Sequence, residues 1–178
     1  LKFKNNLATD TLTQIVMTNQ PVHTKLGGGN DLEAAINRVI SQAQRYLRIF
    51  DYNLSEGNYN SPDRFELLRN FLLLSRANRL DILLHDTDHL TRYCPRMIIL
   101  LQQFSHAIRI HKISPEAKGI DDPFIIADES HYVHRFHYNN PRALLGLHDN
   151  PGTLKLSQRF AEIWDTSTPS TFATTLGL

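Results

Sequence analysis

Pro123-Phe124-Ile125-Ile126-Ala127-Asp128 is an apolar run closed by an acid, and after only Glu129-Ser130 the chain resumes as a second strand-like run, His131 to Tyr138. Two residues can join antiparallel strands but never parallel ones, so this spacing demands a hairpin. The hairpin breaks the rhythm of everything upstream. Asn30 and Glu33 make a capping-box-like start to a helix whose Leu32, Ala35, Ile36, Val39, Ile40 and Ala43 draw one apolar stripe. Tyr46 to Phe50 reads as a strand running into Asp51-Tyr52-Asn53, and Ser61-Pro62 opens a second helix carrying Phe65, Leu68, Phe71 and Leu72. Leu80 to Leu84 is the next strand. A third helical stretch runs to Gln103, kinked or begun by Pro95, and a third strand covers Ala107 to Ile113. Strands separated by helix-length connections pair in parallel and need cover on both faces.

Downstream of the hairpin, Pro141 to His148 reads as a short helix turning into a strand, and Thr153 to Trp164 as an amphipathic helix turning Leu156, Phe160, Ile163 and Trp164 inward. Residues 1–29 read as an arm or edge strand ending in the flexible Gly27-Gly28-Gly29, and residues 167–178 as a tail. The expected fold is α/β: a mostly parallel sheet with helices on both faces and a C-terminal antiparallel hairpin, all within residues 30–166.

The chain has 178 residues, enough for one domain with a proper core. Nineteen basic against eighteen acidic residues leave a charge of +1, so any attraction for a polyanion must be local. The single cysteine, Cys94, excludes an intrachain disulfide framework or a zinc site of several thiolates. A cytoplasmic protein is expected, without membrane insertion: the longest apolar stretch, Met97 to Leu101, is far shorter than the ~20 residues that cross a bilayer. The start at Leu1 fits a longer, bacterial-type protein with an upstream domain.

The order of elements, with Phe124-Ile125-Ile126-Ala127-Asp128 and the closing Phe160-Ala161-Glu162-Ile163-Trp164, resembles one half of the phospholipase D-like (HKD) superfamily over roughly residues 30–166. That resemblance implies a strand carrying His-x-Lys-x-x-x-x-Asp, with Asp128 as its aspartate. Counting back seven residues puts Asp121 in the place of the histidine nucleophile, and counting back five puts Pro123 in the place of the lysine. That family's reaction needs an imidazole to attack phosphorus and a cation to hold the oxygens, whereas an acid beside Asp122 repels a phosphodiester. The resemblance therefore implies a half whose inherited chemistry is lost. It also implies pairing across the former active-site face, with itself or an attached domain, since family halves bury that face against a second half.

Other residues offer chemistry of their own. In a doubly wound sheet Asp51, His85, Asp86 and His111 converge beyond the carboxyl ends of three strands. Asp51 faintly resembles the aspartyl nucleophile of haloacid-dehalogenase-like phosphatases, but Asn53 stands where that family has its second aspartate. His85 and His89 lie one turn apart if a helix begins by Asp86, and with that carboxylate they are candidate metal ligands; helix capping is the simpler reading. His131, Arg135 and His137 alternate along one strand face and, with Arg142, suit a phosphate-containing ligand; an edge hairpin whose histidines face water is the plainer alternative.

The sequence thus predicts a catalytically inactive phospholipase D-like binding or regulatory module that needs no cofactor and self-associates. Two alternatives stand beside it. One is a phosphodiester or phosphomonoester hydrolase using Asp51, His85, Asp86 and Asp121, with or without a metal. The other is a nucleic-acid-binding module, weakly supported by scattered arginines.

Overall fold

A computed structural model describes residues 20–115 and 119–170. Among these residues eight strands form one sheet in the order β1-β7-β6-β5-β2-β3-β4-β8. The strands are β1 (Val22–Leu26), β2 (Tyr46–Asp51), β3 (Arg79–Leu84), β4 (Ile108–Lys112), β5 (Phe124–Ala127), β6 (His131–His137), β7 (Asn140–Leu147) and β8 (Thr168–Pro169). The helices are α1 (Gly29–Gln42), α2 (Pro62–Leu74), α3 (Asp88–Tyr93), α4 (Pro95–Gln103) and α5 (Asn150–Thr166).

Period-2 alternation splits the core in two. Leu47 and Ile49 of β2, Leu80 and Ile82 of β3, Ile108 and Ile110 of β4 and Ile125 of β5 point toward α1, α2 and α4, where they meet Ile36, Val39, Leu68, Phe71, Met97 and Leu100. The opposite registers, Phe50, Leu83, Phe124, Ile126 and Tyr132, pack with Leu156, Phe160 and Ile163 of α5. Helices cover both faces, as expected for the α/β class.

The sheet, however, is mostly antiparallel. Among the described residues only β2–β3 and β3–β4 pair in parallel; β5 lies antiparallel to β2, and β6, β7 and β1 continue in that sense. The cause is the connection from β4 to β5, which contains no helix among its described residues and returns the chain to the far side of β2 in the reverse direction. The hairpin is therefore interior, flanked by β2 on one side and β7 on the other, and not an edge.

Local corrections follow the same physics. Gly28, extended at φ −141°, is the N-cap of α1, so Asn30 falls inside the helix and caps nothing. Residues 141–148 continue as strand because β7 is sandwiched between β6 and β1. Pro95 is the first residue of α4, after a break at Cys94. No helix among the described residues is long and apolar enough to cross a membrane.

Candidate functional site

The two parallel pairings align the carboxyl ends of β2, β3 and β4, and β5 starts at that same end because it runs the other way. Tyr52 and His85 follow β2 and β3 directly. The Asp86 N–H donates to the Tyr52 carbonyl at 2.9 Å, and the Tyr52 ring is stacked between His85 (5.4 Å) and Tyr138 (4.7 Å). His85 Nε2 lies 2.8 Å from the Ile120 carbonyl. A carbonyl only accepts, so Nε2 carries the proton and Nδ1 is the basic nitrogen of the neutral ring. The Tyr138 N–H donates to the Asp121 carbonyl at 2.7 Å, tying the segment before β5 to the end of β6. These contacts frame an open cleft of about 440 Å³ lined by Tyr52, His85, Lys112, Ile113, Ser114, Pro115, Gly119 and Asp121.

The eight residues from Asp121 to Asp128 span the sheet from end to end. Asp121 lines the cleft and Pro123 immediately precedes β5. Between them, Asp122 is held by both terminal nitrogens of Arg159 on α5 (2.6 and 2.5 Å) and by His134 Nε2 (2.8 Å). Asp128 sits at the opposite end, where its carboxylate accepts the N–H groups of Gln44, Arg45 and Tyr46, each at 2.8 Å, as the chain enters β2. Its φ of 53° is a left-handed conformation that aspartate tolerates better than most residues. Asp128 anchors a strand and lies outside the cleft.

Asp51 and Arg135 share the α1 side of the sheet. Both are buried, with Arg135 Nη1 3.7 Å from Asp51 Oδ2, while Asp51 Oδ1 accepts the N–H groups of Asn53 and Leu54 at 3.3 Å. Burial pushes the Asp51 carboxyl above its ordinary range, opposed by Arg135 and these N–H donors. Arg135 also donates to the carbonyls of Tyr138 and Asn140. Neither residue lines the strand-end cleft.

The remaining candidates separate. Asp86 accepts the Asp88 N–H at 3.0 Å; α3 begins only at Asp88, so His85 and His89 do not share a helical turn, and His89 rests against Tyr93. Among the described residues no three His, Cys, Asp or Glu side chains are placed to hold a metal ion. His131 is buried, accepts the His148 N–H at Nδ1 (3.2 Å) and is pushed to lower pKa by burial and by His148. The register shift between Arg135 and His137 leaves His137 exposed, with its ring against Tyr138, and Arg142 is exposed on β7. The cationic face expected on β6 is thus divided: His131 and Arg135 lie beneath α1, His137 and Arg142 outside. His111 is on the α5 side, stacked on Trp164 at 3.7 Å and donating from Nδ1 to Ser167 Oγ at 2.8 Å; burial and Arg109 lower its pKa.

Tyr52, Lys112 and Arg159 were not legible as site residues. Tyr52 and Lys112 carry one available signal, their place at or just past strand ends. Nothing in the sequence joins Arg159 to Asp122.

A family described as a domain of unknown function (DUF7931) matches residues 29–176. No curated protein matches the chain. Among solved structures it is similar to Nuc of Salmonella typhimurium, a phospholipase D family member, at 14% identity and TM-score 0.61 over 85% of this chain and 99% of that one. It is similar to NucT of Helicobacter pylori at 12% identity and TM-score 0.59 over 85% and 100%. It is also similar to TrmBL2, an archaeal chromatin protein whose structure shows a mode of DNA binding, at 15% identity and TM-score 0.63 over 92% of this chain and 60% of that one. The chain therefore spans about three-fifths of the chromatin protein and the whole of the two bacterial proteins. Its fold is phospholipase D-like.

Proposed function

This chain belongs to the DUF7931 family, and on that premise, with its phospholipase D-like fold, we propose that it is a non-hydrolytic module whose strand-end face binds a second copy of itself. One observation carries the reading: the cleft holds both signs of charge, Lys112 and Asp121, beside the exposed Tyr52. A surface with both signs suits an isologous contact, in which the lysine of each copy meets the aspartate of the other, better than it suits a phosphodiester. At the motif positions Asp121 and Pro123 supply neither imidazole nor amine, although His85 and Lys112 line the same cleft, and Asp122 is already paired with Arg159 and hydrogen-bonded to His134.

Sedimentation equilibrium of the full chain tests the pairing. A dimer is expected, weakened at least tenfold by Lys112→Asp or by Asp121→Lys alone and restored when the two variants are mixed. A monomer at all concentrations, or variants that pair as well as the parent, would overturn it. Turnover of bis(4-nitrophenyl) phosphate is expected to be absent with or without divalent metal; turnover that disappears in His85→Ala would establish the hydrolase instead.

The DNA binding described for the archaeal neighbour favours a second reading, nucleic-acid binding. It requires affinity for duplex DNA that falls steeply as salt rises.

A further inference from the structure

A second cavity, of about 460 Å³, lies beside the first two turns of α5 and shares no lining residue with the strand-end cleft; Arg48, Glu129, Asn150, Pro151, Leu154 and Ser157 line it. Its volume falls within the usual range for small-molecule sites. Arg48 is the third residue of β2 and emerges on the α5 side, partly buried. Its guanidinium lies 5.7 Å from the centre of the Tyr46 ring and 5.9 Å from that of Phe160, and among the described residues no carboxylate pairs with it. Two rings fix the guanidinium and leave its N–H donors to an external acceptor.

The rest of the lining selects the class of ligand. Leu154 is 58% exposed, an apolar side chain facing open space, and Pro151 is also exposed. Glu129, on the β5–β6 turn, disfavours a second negative charge. The end of α5 contributes little of its own, because Asp149 already caps the Gly152 N–H at 3.0 Å. We propose that this groove binds a small amphipathic monocarboxylate, its carboxylate on Arg48 and its hydrocarbon against Leu154 and Pro151.

Titration of the isotope-labelled full chain with sodium octanoate, followed by amide shifts, tests the site. Saturable shifts are expected at Arg48, Asn150, Leu154 and Ser157. The response should be at least tenfold weaker for octanamide, which lacks the charge, and for octyl phosphate, whose second charge meets Glu129. Arg48→Gln should weaken octanoate tenfold, and Leu154→Glu, at an exposed position that does not threaten the fold, should abolish binding. No saturable shift, or equal shifts from octanoate and octanamide, would overturn the proposal.

Discussion

Arg135 on β6 and Asp51 at the end of β2 meet as a buried ion pair, 3.7 Å apart, across the intervening strand β5. The pair couples the parallel half of the sheet to the antiparallel half. Removing one member of such a pair leaves an uncompensated buried charge and costs about 3–5 kcal/mol. Arg135→Met should therefore destabilise strongly in urea unfolding, and Arg135→Met with Asp51→Leu should recover most of the loss. A double variant as weak as the single would show that the arginine's bonds to Tyr138 and Asn140 matter more than the charge pair.

Asp128→Ala removes an acceptor that serves three backbone N–H groups. Bonds to a charged acceptor contribute about 1.5–3 kcal/mol each when isolated, but these three share one carboxylate and are partly exposed, so a total of roughly 2–3 kcal/mol is expected. Denaturant unfolding measures it, with Asp128→Asn falling between the two. A loss well under 1 kcal/mol would mean that water replaces the carboxylate at this end of the sheet.

Stability should fall with acidity through the histidine range. His131 and His111 are both held neutral, with folded pKa values below the ordinary 6.5. Their contribution is then complete above about pH 6.5 and is lost as pH falls through the lower folded values. Urea midpoints from about pH 7.5 down to about pH 5 should decline, and His131→Gln should flatten part of that slope. A midpoint that rises on acidification would contradict the sign.

Gly146 is required by contact. A Cβ there would lie 2.3 Å from Tyr132 Cε1 and 2.4 Å from Cζ, and the Tyr132 hydroxyl is fixed by its 2.9 Å bond to Asp149. Gly146→Ala should cost about 1–3 kcal/mol as an overpacked core position. In a background of Tyr132→Leu, which vacates the ring, the same change should cost little. Equal costs in the two backgrounds would place the strain elsewhere.

The elements themselves were legible because each is written locally. The stripe from Leu32 to Val39, the Ser61-Pro62 start, whose serine accepts the Arg64 N–H at 3.2 Å, and the two-residue Glu129-Ser130 joint all declare themselves within a few positions. Strand order was not legible, because Phe124 to Ala127 are buried on both faces and carry no alternation to say which neighbour they take. The β6 histidines and Arg135 read as an open cationic face for a different reason. The alternation was real, but Asp51, the group that makes Arg135 an interior residue, lies more than eighty positions earlier. The resemblance pointed to Asp128 only as a motif aspartate; its work as an anchor for β2 depends on N–H groups more than eighty positions earlier, which nothing local to it announces.

The placing of β5 beside β2 bears on how the polypeptide matures during synthesis. Everything up to β4 emerges first, yet β2 then has one flank unpaired, with Leu47, Ile49 and Phe50 all awaiting a partner that arrives some seventy residues later. A nascent or truncated chain ending after β4 would present a naked, greasy strand edge, which makes it a target for aggregation or chaperone capture. The N-terminal α/β run is thus a half-built sheet that is completed only when the hairpin is inserted at its centre.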